Sequence, residues 1–137
     1  HGISVMADVA DTLLTVDDIQ AVVLPGGMPG TLHLEQSPVV RQLVDRAVTR
    51  DAYIAAICAA PSILGHWGLL KGRRAVCFPG FEEQLEGAVL CDEQVVQDGR
   101  IITARGAGAA MEFGLQLVSE LVSPERAASL KAAMQCR

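Results

Sequence analysis

Apolar residues along this chain collect in two kinds of run. Short stretches with little polar alternation, "AVVL" at 21–24, "AYIAAI" at 52–57 and "RRAVCF" at 73–78, read as strands, the first two buried on both faces. Pro25-Gly26-Gly27 stops the first, and Cys58 ends the second. Between them, "SPVVRQLVDRAVTR" places Ser37 at an N-cap, Pro38 at the first helical position, and Val40, Leu43, Val44, Ala47 and Val48 at helical spacing. That is an amphipathic helix, and the residues between Gly27 and Ser37 read as a loop. "APSILGHWGLL" reads as a short helix stopped by the glycines at 68–72. Strand, helix, strand, helix, strand with short connections requires crossovers, hence a parallel sheet with helices on both faces.

Further along, the pattern changes. "QVVQDGRIITA" sets Asp98-Gly99 between two β-rich runs, a two-residue hairpin signal, so a small antiparallel piece is expected near the sheet edge. "GAAMEFGLQLVSELV" carries Met111, Leu115, Val118 and Val122 on one helical stripe, and "SPERAASLKAAM" restarts a helix with Ser123 as its cap. No repeat, linker or low-complexity segment interrupts this order.

Composition narrows the function classes. Half of the 137 residues are apolar, enough for one domain (1–137) with its own core. The net charge is −5 and no basic cluster is longer than the pair Arg73–Arg74, which argues against nucleic acid or an anionic membrane as partner. No run approaches the roughly 20 apolar residues of a membrane span, and no leader pattern opens the chain, so a soluble, cytoplasmic protein is expected. The four cysteines, Cys58, Cys77, Cys91 and Cys136, form no C-x-x-C, and three histidines offer no zinc framework. Free thiols, no metal and no cofactor are the expectation; a chain this apolar does not need disulfides. The sequence opens His1-Gly2-Ile3-Ser4-Val5, almost at once in the apolar run "ISVM", and an upstream part of the fold is expected to be missing.

In open α/β sheets, ligands sit outside the carboxyl ends of the strands. Two such ends stand out, Pro25-Gly26-Gly27 and Cys58-Ala59-Ala60. Glycines let backbone N–H groups approach a ligand, and a helix N-terminus behind Cys58 favours thiolate over thiol. Cysteine is also among the most buried residue types, so spacing alone leaves both nucleophile and core residue open for Cys58. Cys77 suits packing or a strand end, and Cys91 and Cys136 suit the periphery. His33 and His66 lie beside no motif that would orient a base. "RGAGAAMEFG" imitates a phosphate loop but lacks its spacing and its Lys-Ser/Thr, so a close turn into a helix accounts for it better.

Taken together, "VVLPGG", "AAICAAPSILG", "GLLKGRRAVCFPGFEEQLEGA", "DGRIITARGAG" and "EFGLQLVSEL" resemble the DJ-1/ThiJ/PfpI superfamily over essentially the whole chain, most closely a bacterial-type member of its DJ-1/ThiJ branch. The resemblance implies an α/β fold, a flavodoxin-like three-layer sandwich with a mostly parallel sheet and a small antiparallel hairpin, and an intimate homodimer. It makes Cys58 the reactive cysteine at a strained strand-to-helix elbow, with the backbone N–H groups of Gly27 and Ala59 lining an anion pocket beside it.

Two departures accompany the resemblance. Relatives begin with a further strand-helix-strand unit of roughly 45 residues, whose first strand leads to a glutamate that hydrogen-bonds the cysteine; this chain lacks it, and a separate fragment chain is an alternative source. His1 aligns near a residue that approaches the site across the dimer. Where some relatives carry histidine after the third strand, this sequence has Phe78. The peptidase branch needs histidine directly after the nucleophile, where Ala59 stands, and glutamine amidotransferases need a G-x-C-x-G elbow; both activities are excluded. The implied function is a cysteine-dependent stress-protective protein, a cofactor-free glyoxalase or deglycase acting on glyoxal or methylglyoxal. The alternative is a non-enzymatic redox sensor or chaperone in which Cys58 is oxidised to a sulfinate. The partner is thus a small aldehyde or an oxidant.

Overall fold

The computed structural model describes residues 2–14 and 17–136; His1 lies outside them. Among these residues are strands β1 (Ala21–Leu24), β2 (Tyr53–Ile57), β3 (Arg74–Ala75), β4 (Val89–Leu90), β5 (Val95–Asp98) and β6 (Ile101–Ala104), and helices α1 (Gly30–Gln36), α2 (Pro38–Thr49), α3 (Pro61–His66), α4 (Ala110–Leu121) and α5 (Pro124–Ala133). The main sheet has the order β1-β2-β6-β5, with β1, β2 and β6 parallel and β5 antiparallel to β6. The registers Leu24↔Ala56 and Ala56↔Thr103 bring the carboxyl ends of the three parallel strands abreast.

Both faces of the sheet are covered. On one, Val22, Leu24, Ile54 and Ala56 pack with Val44 and Ala47 of α2 and Ile63 and Leu64 of α3. On the other, Ala55, Ile102 and Ala104 pack with Phe113 and, at the margin, Leu117 of α4. Helix, sheet and helix make the three layers of a flavodoxin-like sandwich. The two helix starts read from sequence have the expected caps: Ser37 Oγ accepts the Val40 N–H at 3.4 Å, and Ser123 Oγ accepts the Arg126 N–H at 3.1 Å.

Several elements differ from the sequence pattern. The loop expected before Ser37 contains α1, a helix too short to show an apolar stripe. β1 is an edge strand with Val23 46% exposed, so it is buried on one face only. "RRAVCF" contributes just Arg74–Ala75, paired parallel to β4 in a separate two-stranded sheet. Its next backbone donors leave the ladder: the Val76 N–H goes to Thr103 Oγ1 at 3.0 Å and the Phe78 N–H to the Cys58 carbonyl at 2.8 Å. The Asp98-Gly99 hairpin forms, yet its second arm, β6, lies inside the sheet between β2 and β5. α4 turns Phe113 inward while Met111 and Val122 stay exposed, so the stripe read from spacing is not its packing face. Ile3, Val5 and Met6 are exposed and form no strand.

Candidate active site

Three parallel strand ends form the floor of the site. β1 leads to Gly26 and Gly27, β2 to Cys58 and Ala59, and β6 to Arg105 and Gly106. Cys58 adopts a φ of +67°, a left-handed conformation that costs a non-glycine residue about 1–3 kcal/mol and persists only where its surroundings enforce it. Here they do. The Cys58 N–H donates to the Ala104 carbonyl at 2.9 Å, its own carbonyl accepts from Phe78 at 2.8 Å, and the Ala60 N–H closes the turn onto the Ile57 carbonyl at 3.2 Å. The elbow is pinned by the strand beside it and by the segment after β3, and the side chain remains partly exposed.

Gly26 makes room for this turn. A methyl group there would stand 2.5 Å from Cys58 Cβ, 2.6 Å from the Ile57 carbonyl oxygen and 3.2 Å from the Ala59 nitrogen. The sequence pattern pointed to Gly26 and Gly27 together, and the close approach belongs to Gly26. Gly27 has a φ of +88°, and its carbonyl accepts both the Thr31 N–H at 2.9 Å and Thr31 Oγ1 at 2.8 Å, fixing the loop. The Ala59 carbonyl is held in the same way by Ser62 Oγ at 2.7 Å. Among the described residues, neither the Gly27 N–H nor the Ala59 N–H donates to a protein acceptor, so both carbonyls are anchored while both donors are uncommitted. α3 starts three residues past Cys58, at Pro61.

The remaining sequence candidates divide clearly. Cys77 is buried in the core cluster, and burial first, then the negative field of Glu82, pushes its thiol from 9.0 up to about 11. Because the raised value favours the neutral thiol, its stabilisation is complete below pH 9 and is lost as the pH rises through 11. Urea unfolding at pH 8 and pH 11 should therefore show an alkaline loss of stability larger in the wild type than in Cys77→Val by up to about 2 kcal/mol. Equal losses in both would contradict it.

Cys91 and Cys136 are partly exposed and free. His66 pairs with Glu35 at 2.6 Å, tying α3 to α1, and His33 is exposed on α1. Among the described residues no side chain hydrogen-bonds the Cys58 thiol, and no three His, Cys, Asp or Glu gather as a metal site. Sequence reasoning passed over one feature: Phe78 lies against Gly106, with a ring carbon 3.1 Å from where a β-carbon on that glycine would be. An open groove of about 710 Å³, lined in part by Leu14, Val23, Leu43 and Leu121, flanks the β1 edge away from the thiol. Its described lining includes Asp17 and Asp18 but no cysteine, serine, lysine or histidine.

The sequence profile of the DJ-1/PfpI family matches residues 1–120. The chain belongs to the DJ-1/PfpI family. It is 37% identical over 139 residues to Protein DJ-1 homolog B of Arabidopsis thaliana, covering all of this chain and 32% of that protein. It is 33% identical over 130 residues to the glutathione-independent glyoxalase DJR-1.2 of Caenorhabditis elegans, covering 94% of this chain and 69% of that protein. The crystal structure of Drosophila melanogaster DJ-1beta superposes with a TM-score of 0.91 at 32% identity, over 98% of this chain and 74% of that one. The chain spans about a third of the length of the two Arabidopsis relatives. Membership accounts for the flavodoxin-like layers. No described helix is long and apolar enough to cross a membrane.

Proposed function

We propose that this DJ-1/PfpI protein is a cofactor-free glyoxalase or deglycase acting on glyoxal or methylglyoxal, with Cys58 as nucleophile. The observation that carries the proposal is a partly exposed thiol held at φ +67° beside two uncommitted N–H groups. Cys58 thiolate adds to the aldehyde carbon of methylglyoxal, and the new alkoxide is stabilised by the Gly27 and Ala59 N–H groups. The aldehyde-derived C–H proton is then moved to the neighbouring carbonyl carbon, through an enediol, leaving a thioester. Water cleaves the thioester, releasing lactate and the thiol. The aldehyde carbon is oxidised and the ketone reduced within one molecule, so no external redox partner is consumed.

The proton transfer needs an acid/base group, and the family resemblance implies a glutamate for that role. A homodimer in the cytoplasm, or completion of the sheet by a separate fragment, belongs to the same proposal. The Caenorhabditis elegans relative, a glutathione-independent glyoxalase, supports it. The test is lactate formation from methylglyoxal by the intact protein without glutathione; no lactate above buffer would overturn it.

The contrast between thiols favours a second reading, a redox sensor. Cys58 is partly exposed, whereas Cys77 is buried and pushed up to about 11. One peroxide would convert Cys58 thiolate to sulfenate with loss of water, and a second would give sulfinate, held by the same N–H donors. Peroxide at low excess should add two oxygens at Cys58 before any other cysteine; indiscriminate oxidation would count against this reading.

A further inference from the structure

The two strand ends that flank Cys58 differ in character. The β1 end is backbone, Gly26 and Gly27, without side chains to fill space. On the β6 side stands the Phe78 ring. Its position follows from two observations: its N–H is bonded to the Cys58 carbonyl at 2.8 Å, and its ring packs on Gly106, two residues past the Ala104 carbonyl that accepts the Cys58 N–H. The ring therefore lies at the end of β6, the strand next to the one that leads into Cys58. Gly106 has an extended φ of 178°, so its role is the missing side chain, which lets the ring settle onto backbone. Despite that contact Phe78 is 46% exposed. Methylglyoxal is too small to cover such a surface.

We infer that Phe78 is a specificity-determining wall that selects carbonyl compounds bearing an aryl group, arylglyoxals above all, for attack by Cys58. The inference rests on the proposed thiolate chemistry and names its substrate class. An arylglyoxal places its ring offset or edge-on against Phe78, an arrangement aromatic pairs prefer, while the aldehyde carbon meets the thiolate and the alkoxide faces the N–H donors. The reaction balances as for methylglyoxal: phenylglyoxal plus water gives mandelate, with the thiol regenerated.

Two readouts on the intact protein separate this inference from the glyoxalase proposal. The first is the ratio of kcat/KM for phenylglyoxal to that for methylglyoxal. It should fall roughly fivefold to tenfold in Phe78→Ala, the worth of one aromatic contact. Gly106→Ala retains the ring but displaces it by its added methyl, and should lower the ratio by a smaller factor. The second needs no turnover: the rate at which Cys58 is alkylated by N-benzyl iodoacetamide relative to iodoacetamide, read by peptide mass. That relative rate should fall in Phe78→Ala by a similar factor. Absence of any aldehyde turnover would defeat the glyoxalase proposal while the alkylation ratio still decides the role of Phe78. An alkylation ratio equal in wild type and Phe78→Ala, whether or not the oligomeric state changes, would overturn the inference.

Discussion

Cys58→Ser is expected to lower aldehyde consumption by the intact protein about a thousandfold or more, because a serine hydroxyl is a far weaker nucleophile than a cysteine thiolate. The substitution adds no atoms and removes no backbone contact, so stability should change by less than about 1 kcal/mol. Cys58→Gly sharpens the point. Glycine adopts the φ of +67° without strain, so this variant should be as inactive as the serine variant yet more stable than it by about 1 kcal/mol. Activity and stability are then separated at one residue. Equal aldehyde consumption by wild type and Cys58→Ser, measured as lactate formed, would remove the enzyme proposal.

Gly26→Ala should be the most damaging small substitution near the site. Its methyl would overlap Cys58 Cβ at 2.5 Å and the Ile57 carbonyl at 2.6 Å, and neither is the free end of a flexible side chain. Relief requires moving the β1 loop or the elbow. The expected cost is about 1–3 kcal/mol of stability, and a displaced elbow should lower kcat/KM on the order of a hundredfold. Chemical unfolding and lactate formation check the two halves. The neighbouring Gly27→Ala meets no atom within 4 Å but must adopt a φ of +88°, so its cost comes from backbone strain rather than overlap.

Local chemistry was legible in the sequence where it is decided locally. Ser37-Pro38 and Ser123-Pro124 declare helix starts because an N-cap hydroxyl needs only the N–H three residues on. Asp98-Gly99 declares a hairpin for the same reason. What the sequence left open depends on distant partners. Nothing near Ile101–Ala104 reveals that this strand inserts beside β2, since that pairing links residues almost fifty positions apart. "RRAVCF" looked like a full strand because its apolar run cannot show that Val76 would bond a threonine hydroxyl and Phe78 the elbow carbonyl. The α4 stripe misled because Leu and Val recur on more than one face, and only the site of contact with the sheet selects Phe113.

The site itself was partly visible. Cys58 at a strand end was apparent, and the resemblance implied a strained elbow with the Gly27 and Ala59 donors beside it; that the strain is a left-handed φ, and that both donors are uncommitted, emerge only when β1, β2 and β6 stand abreast. Gly106 read as a turn residue, and its function as a seat for Phe78 required both segments in place.

The central claim is that the elbow, rather than exposure alone, makes Cys58 the reactive thiol. Cys91 and Cys136 are also partly exposed and free, so they serve as internal controls. The direct measurement is peptide mass mapping after treating the native protein at pH 7 with less than one equivalent of iodoacetamide. Label should concentrate on Cys58, with less on Cys91 and Cys136 and least on buried Cys77. Label shared equally among Cys58, Cys91 and Cys136 would contradict the claim.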